Sequence, residues 1–514
     1  MVAEKQKRSV KPKGFLSALS NKLHTPRWLF VLLITVLILR IPSFFEPYSY
    51  GDEMIYLTLG EAIRQGIPLY SGIHDNKPPL LYIIAAISSS LFWFKAVLAI
   101  WHLVTVYLFW KLAKVLFPKK LRLQKIATVI FAILTTLPLL EGNIVNAELF
   151  MIGPIIAAFL LVLSKKLTFR NLFSAGILFS IATLFKIPAA FDLLAVVFLW
   201  SITAKKLNRK SLVEITVKTS YLVFGFLAPI GISFLWYSIN GAFNEYLVAA
   251  FLQNVGYLST WRPAVVQKSF LIRNGPLVAR ALIVGFGLAL LFWKRKRLSK
   301  QFIFTTAWLL LTLFAVTLSE RPYPHYLIQS VAPISVLLAM LFTLKTKEQT
   351  LTIIPLALAF FVPVYFKFWY YPTTTYYFRF ISFATTQITK DEYFASFGGQ
   401  VLRNYEISDY VVGATRPKDK VFVWGDGTSI YALSRRFPPG KYVADYHIRD
   451  FSTPAETVAE LELDMPKLII TLPEAPPFSE LTLFLRENYI LVETIDGASI
   501  WHVLSPNVRS LIAS

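Results

Sequence analysis

The chain has 514 residues; 55% of them are hydrophobic, only 16% are charged, and none is cysteine. A soluble protein of this length carries charge on about a quarter of its residues, so the composition is typical of a membrane protein. A chain without cysteine has no disulfide bond, no thiol nucleophile and no cysteine-bound metal.

The net charge of +22 belongs to the apolar part of the chain. Residues 1–371 carry 39 Lys and Arg against 13 Asp and Glu, whereas residues 372–514 carry 13 against 17. A large basic excess is also a property of nucleic-acid-binding proteins. Here it lies in loops between apolar runs, which is typical of a multi-pass protein in a lipid bilayer and predicts no nucleic-acid partner.

Residues 1–27 form a basic tail, and the apolar run after it lacks a small-residue cleavage site, which predicts an uncleaved signal anchor. Since about 20 apolar residues span a bilayer, the apolar runs of residues 28–371 predict a mainly α, polytopic bundle of about 11 spans plus interfacial helices. The predicted spans lie at residues 28–45, 94–117, 126–140, 149–164, 172–188, 189–204, 213–238, 276–293, 302–319, 326–344 and 351–371.

Residues 79–93 decide the topology. The clusters of Lys and Arg share one side of the membrane only if this segment does not cross, so we predict an interfacial or re-entrant helix there. The N-terminus is then cytoplasmic, and residues 372–514 lie outside the cell membrane. The basic clusters are at 1–27, 111–125, 165–170, 205–210, 294–300 and 345–347.

Acidic residues are sorted to the opposite side. Nine of the twelve Asp and Glu between residues 28 and 371 fall in the predicted outer segments. One explanation is a site that uses carboxylates, and the other is that the inner loops are already filled with Lys and Arg. Both explanations remain open at this point.

The first outer loop, within residues 42–93, is the most informative. Apolar residues recur at helical spacing from Ile55 to Ile63, which predicts a helix on the membrane surface with Asp52 and Glu53 at its start. Asp52 could simply cap this helix. A cap does not explain Lys77, a cation at membrane level followed by two stiffening prolines.

Residues 372–514 predict a small α/β domain. Strands are predicted at 420–424, 467–471 and 490–493, with a helix at 429–435. The Gly425-Asp426-Gly427 segment lacks the third glycine and the downstream acid of a dinucleotide fingerprint, so it predicts a plain strand-to-helix turn.

Two segments of the first outer loop, 51–53 (GDE) and 74–80 (HDNKPPL), resemble the first loop of family 39 glycosyltransferases, although Asn76 stands where the family usually has histidine. These GT-C-type enzymes take sugars from polyprenyl-phosphate donors and include protein mannosyltransferases and bacterial aminoarabinose transferases. The resemblance continues over most of the chain in order. Similar motifs lie at 146–150 (NAELF), 184–186 (LFK), 321–327 (RPYPHYL), 423–425 (VWG) and 435–442 (RRFPPGKY).

The resemblance implies an enzyme that transfers a sugar, with inversion, from a polyprenyl-phosphate donor to a hydroxyl of a protein, lipid or glycan on the extracytoplasmic face. Asp52 is the candidate base. Glu53 is either a supporting catalytic group or a solvated helix start. Glu148 is a third catalytic candidate, because a carboxylate entering a span is costly unless it is paired or hydrated, which makes it a functional candidate by default. Exposure in the loop and compensation of the helix dipole are its alternatives.

Five residues are candidates for binding the donor phosphate, each with a structural alternative. Lys77 could reach lipid headgroups, Arg321 could pair with the adjacent Glu320, and Lys186 could pair with Asp192. The two aromatic candidates could belong to the interfacial aromatic belt. The candidates are Lys77, Arg321, Tyr326, Tyr82 and Lys186.

His325 and Tyr323 are possible accessory residues. His325 could assist proton transfer or join Asp52 and Glu148 at a metal, but a lone loop histidine is more often a packed one. No His, Asp and Glu grouping has clear ligand spacing, so no metal site and no certain cofactor are predicted, although a divalent metal stays possible. His102, inside a span, predicts an interhelical hydrogen bond.

Two other function classes compete with the enzyme. A transporter or flippase would move a lipid-linked sugar without chemistry and would place ionisable groups at mid-bilayer. A scaffold would use the exported domain to recruit partners to an inactive bundle. The predicted spans are poor in charge and the acids collect at one interface, which favours surface chemistry.

Overall fold

The computed structural model describes residues 25–204, 206, 208–256 and 270–505. Most of the basic tail and part of the 205–210 cluster therefore lie outside the described residues. The membrane part contains helices α1 Arg27–Arg40, α2 Gly51–Arg64, α3 Leu80–Ser88, α4 Leu91–Leu116, α5 Leu121–Leu134, α6 Ala147–Ser164, α7 Phe169–Phe185, α8 Ala190–Thr203, α9 Arg209–Ile239, α10 Phe243–Leu247, α11 Gln253–Gly256, α12 Phe270–Trp293, α13 Lys300–Val316, α14 Ile328–Thr343, α15 Lys347–Leu351 and α16 Ile353–Tyr365.

Seven helical segments of the described chain are long and apolar enough to cross a membrane, and four more apolar segments are shorter. The predicted fold class, a polytopic helix bundle, is confirmed. The prediction for residues 126–140 is offset, because α5 ends at Leu134 and a separate 3-10 turn, Pro138–Leu140, follows. The apolar helical segment Phe243–Leu252 was not predicted.

The segment predicted not to cross the membrane forms the short helix α3. Nine residues rise only about 13 Å, less than half of the hydrocarbon thickness. Ser89 ends the helix with a positive φ of 59°, and α4 starts afresh two residues later behind the N-cap Ser90. This break returns the chain to the same end of the bundle before the next long helix.

Polar contacts inside the bundle tie helices together. Arg40 Nε of α1 donates to His102 Nδ1 of α4 at 3.2 Å, and His102 Nε2 lies 2.8 Å from the hydroxyl of Thr135 after α5. The predicted interhelical role of His102 is therefore confirmed.

The C-terminal part begins with three helices and continues into a four-stranded mixed sheet of order β1-β2-β4-β3. Strand β1 is parallel to β2, while β4 is antiparallel to both β2 and β3. The predicted strands are present, but β4 was not predicted. The elements are α17 Thr373–Ala384, α18 Lys390–Ala395, α19 Gln400–Ala414, β1 Val421–Trp424, α20 Thr428–Ser434, α21 Asp445–Phe451, α22 Pro454–Leu463, β2 Leu468–Thr471, α23 Ser479–Asn488, β3 Tyr489–Ile495 and β4 Ala498–Val503.

This C-terminal domain, called the exported domain after its predicted location, rests directly on the loop that contains α2 and the segment before α3. The backbone N–H of His74 donates to the carbonyl of Lys441 at 2.8 Å, and His74 forms an isolated β-bridge with Tyr442. The hydroxyl oxygen of Tyr405, on α19, also accepts the backbone N–H of Tyr48 at 3.1 Å. These contacts place one end of the sheet over the start of α2.

Candidate active site

A cavity of about 670 Å³ lies between the membrane part and the exported domain. Its floor comes from the start of α2, the segment before α3 and the loop before α14. Its roof comes from the turn after β1 and from α21. The lining residues include Asp52, Lys77, Arg321, Tyr323, His325 and Tyr326 below, and Asp426, Asp445, His447, Arg449 and Asp450 above.

Asp52 lines this cavity in the first turn of α2. Its Oδ2 accepts the hydroxyl of Tyr56, one turn further along, at 2.8 Å and lies 3.9 Å from Lys77 Nζ. Burial acts to raise the pKa of Asp52, but the positive charges of Lys77 and His325 and the hydrogen bond from Tyr56 together outweigh it, and the pKa lies below its ordinary value. Asp52 is not a helix cap: the N-cap residue is Tyr50, and no side chain caps this helix.

Lys77 lies between two carboxylates instead of reaching out to lipid headgroups. Its Nζ is 3.6 Å from Asp75 Oδ2 as well as 3.9 Å from Asp52 Oδ2, and it lies 5.1 Å from the centre of the Tyr56 ring. Asp75 is 1% exposed. Burial would raise the pKa of Asp75, yet Lys77 and His447 lower it to about 2.

Tyr82 does not line the cavity. It is fully buried and donates its hydroxyl to Asp75 Oδ2 at 2.7 Å. This placement corrects both sequence interpretations, since a buried side chain neither contacts a ligand in the cavity nor belongs to an interfacial belt. Tyr82 instead supports the carboxylate that faces Lys77.

Glu53 points away from the cavity and is not a solvated helix start. It is 1% exposed, its Oε1 accepts the N–H of Val145 at 2.6 Å, and Lys95 Nζ lies 3.2 Å away. Lys95 also pairs with Glu46. Burial raises the pKa of Glu53 to about 7, with Lys95 opposing the shift and Glu46 adding to it. The two neighbouring acids therefore face different environments.

Glu148 and Lys186 form an ion pair at the edge of a second cavity, of about 250 Å³ and mostly apolar walls. The Nζ of Lys186 lies 3.5 Å from the ring centre of Tyr326, which lines both cavities. The alternative pairing of Lys186 with Asp192 is wrong, because Asp192 accepts Trp308 Nε1 at 2.5 Å and Gln329 Nε2 at 2.7 Å.

His325 is paired with Glu141, an acid in the connection between α5 and α6. Glu141 Oε2 contacts the ring Nδ1 and accepts the backbone N–H of His325 at 3.3 Å, while Oε1 accepts the hydroxyl of Tyr50 at 2.9 Å. The positive φ of 57° at Glu141 turns the chain tightly before α6. No sequence pattern indicated this partner.

Arg321 and Tyr323 both line the first cavity. Glu320, the alternative partner of Arg321, pairs with α12, since its Oε1 lies 3.0 Å from Arg280 Nη1. Within the described residues no group of three or more His, Asp and Glu could hold a metal ion.

The contribution of the exported domain to the cavity was not predicted from the sequence. Residues from α21 and the turn after β1 lie more than 330 positions from the first outer loop, and nothing in their local pattern points to a ligand. The only signal was the resemblance of the VWG and RRFPPGKY segments to family motifs, and neither segment contains a residue that lines the cavity.

A bundle of membrane-length helices with carboxylates and lysines at one end, beneath a small α/β domain, defines a multi-pass membrane fold. The chain is similar in structure to ArnT from Cupriavidus metallidurans bound to undecaprenyl phosphate, with a TM-score of 0.54, 12% identity and coverage of 93% of this chain and 98% of that one. The apo state of the same protein gives a TM-score of 0.52 at 11% identity, over 94% and 98% of the two chains. No family model and no curated protein matches the sequence. At these identities the likeness establishes a shared fold.

Proposed function

We propose that this protein is an inverting membrane glycosyltransferase. It would move a sugar from a polyprenyl-phosphate donor to an acceptor hydroxyl on the extracytoplasmic face, with Asp52 as the base. The fold shared with ArnT, whose structure holds undecaprenyl phosphate, supports this class of reaction.

The observation that carries the proposal is the junction of two unlike cavities at Tyr326. The larger cavity is polar and contains Asp52 and Lys77, and the smaller is apolar and contains Lys186. An amphiphile with an anionic head suits this shape: the part of an apolar tail next to the head fits the small cavity, the phosphate lies among the cations, and the sugar extends toward Asp52.

In the proposed reaction the acceptor oxygen attacks the anomeric carbon while its proton passes to Asp52. The bond between the anomeric carbon and the phosphate oxygen breaks, and the phosphate leaves with the electron pair. Lys77 and Arg321 stabilise the charge that develops on it. One displacement inverts the anomeric configuration. Asp52 is suited to this role because its low pKa leaves it ionised at neutral pH.

The test is transfer from a polyprenyl-phosphate sugar by the purified protein in proteoliposomes. We expect Asp52→Asn to lower the rate by about 10²–10⁴-fold. The exposed Asp391→Asn on α18 changes the same chemical group away from the cavity and should leave the rate unchanged. Near-normal transfer by Asp52→Asn would contradict the assignment, and movement of intact lipid-linked sugar across the bilayer without transfer would favour a flippase.

A further inference from the structure

His447 reaches the reaction cavity from the exported domain. It lies on the short helix α21, is 2% exposed and lines the cavity beside Lys77. The docking of His74 holds this helix in place, because the His74 ring lies 5.1 Å from the ring of Tyr442 and 5.4 Å from that of Phe451. The position of His447 relative to the first outer loop is therefore fixed by packing on both sides.

The imidazole of His447 faces one oxygen of Asp75. Its Nε2 lies 3.4 Å from Asp75 Oδ1, which also accepts the N–H of Asn76 at 2.7 Å. The other oxygen, Oδ2, accepts the hydroxyl of Tyr82 and faces Lys77 Nζ at 3.6 Å. A carboxylate held at both oxygens has one orientation, so the ammonium that it faces has a preferred position too.

We propose that His447 is a positioning residue, which acts through Asp75 to hold the Lys77 ammonium where the donor phosphate binds. The exported domain then completes the donor site instead of only recruiting an acceptor. This inference rests on the proposed function, in which Lys77 contacts the phosphate. The carboxylate at Nε2 favours the tautomer with the hydrogen on that nitrogen, so the role needs an N–H donor and not a charge.

A docking role for His447 predicts a different behaviour. If the histidine only helped to seat the exported domain, its loss would weaken lipid binding whether or not Lys77 were present. If it acts through Lys77, its effect vanishes once Lys77 is removed. A double-mutant cycle separates the two, because residues that act as a unit are not additive.

The experiment measures the Kd for undecaprenyl phosphate of the full-length protein in detergent, with the thermal unfolding midpoint of each variant. We expect His447→Leu to raise the Kd about tenfold, because Asp75 loses the polar side chain that faces its Oδ1 and holds Lys77 less firmly. His447→Gln, which keeps an N–H near the position of Nε2, should restore most of the affinity. Tyr405→Phe removes a docking hydrogen bond distant from Lys77 and should leave the Kd unchanged.

The cycle is completed by Lys77→Ala alone and together with His447→Leu. We expect the double variant to bind no more weakly than Lys77→Ala. Additive losses, an unchanged Kd in His447→Leu, or no rescue by glutamine in a variant with a normal unfolding midpoint would overturn the inference while leaving the proposed function intact. An unchanged Kd in Lys77→Ala would overturn the phosphate role of Lys77 itself, and the His447 inference with it.

Discussion

Asp52 and Glu53 are neighbours on the first turn of α2, and their side chains point in different directions. Asp52 faces the cavity and Lys77, and Glu53 faces the bundle and Lys95. Consecutive helical residues point about 100° apart, so one can line a site while the next belongs to the core. The sequence located the pair at a helix start but could not say which acid faced which way.

Glu53 should be replaceable by its neutral isostere. With its pKa raised to about 7, Glu53 is partly protonated at neutral pH, and glutamine can accept the same hydrogen bonds from Val145 and Lys95. We expect Glu53→Gln to keep the transfer rate within about threefold of the unaltered protein. A loss as large as that of Asp52→Asn in the same assay would give Glu53 a direct catalytic role.

Lys95 should be far less tolerant of change than Glu53. Its ammonium is buried between Glu46 and Glu53, and Lys95→Met leaves those carboxylates without their cation. We expect a loss of about 3–5 kcal/mol in the free energy of unfolding. Denaturant unfolding in detergent measures it, and a loss no greater than that of Glu53→Gln would show that the pairing is unimportant.

Asp75 should stabilise the protein in a pH-dependent way. Its pKa of about 2 lies below the ordinary value of about 3.9, so its contribution is complete above pH 4 and disappears as the pH falls toward 2. We expect Asp75→Asn to cost about 2–3 kcal/mol of unfolding free energy at neutral pH. The gap between variant and unaltered protein should narrow below pH 4; a gap independent of pH would contradict this origin.

At the scale of helices, sequence periodicity and composition were informative, because a bilayer demands long apolar helices whatever their packing. The short α3 was predicted from the distribution of Lys and Arg. The partners of polar side chains on other helices were not predictable; even for His102 the sequence indicated an interhelical hydrogen bond but not its partners. Pairing with Asp192, one turn or so away, was the structural alternative for Lys186, but the chain bends between them and Lys186 pairs with Glu148 from α6.

The contact of α7 with α9 depends on glycine. A Cβ atom on Gly225 would lie 2.0 Å from the carbonyl oxygen of Phe173, so the two backbones touch there. We expect Gly225→Ala to cost about 1–3 kcal/mol and lower the thermal unfolding midpoint. Gly231 lies on the same helix with nothing within 4 Å of such a Cβ, so Gly231→Ala is the matched control. Equal midpoints for the two variants would contradict the close contact.

At the scale of the whole molecule, the separation of acidic from basic residues along the sequence agrees with the position of the cavity. Asp52, Asp75 and Lys77 lie together beneath the exported domain, at the end of the bundle opposite the basic loops. The sequence could predict the two regions separately from their composition. It could not predict that α21 closes the cavity, because that contact joins residues more than 360 positions apart and depends on how the domain docks.

The absence of cysteine makes the proposed topology directly measurable. A single cysteine at the exposed Ser479 of the exported domain should react with a membrane-impermeant maleimide in intact cells. A single cysteine at the exposed Arg122, at the start of α5, should react only after the membrane is permeabilised. Labelling of Arg122→Cys in intact cells would place the basic loops outside and contradict the orientation.

The central claim is that a polyprenyl phosphate binds where the two cavities meet, with its head toward Asp52. The most direct test is a cryo-electron microscopy structure of the Asp52→Asn variant with undecaprenyl phosphate. We predict density for the phosphate beside Lys77, Arg321 and Tyr326, and density for the tail in the apolar cavity edged by Lys186. A phosphate bound elsewhere on the protein, with these residues contacting no lipid, would contradict the account.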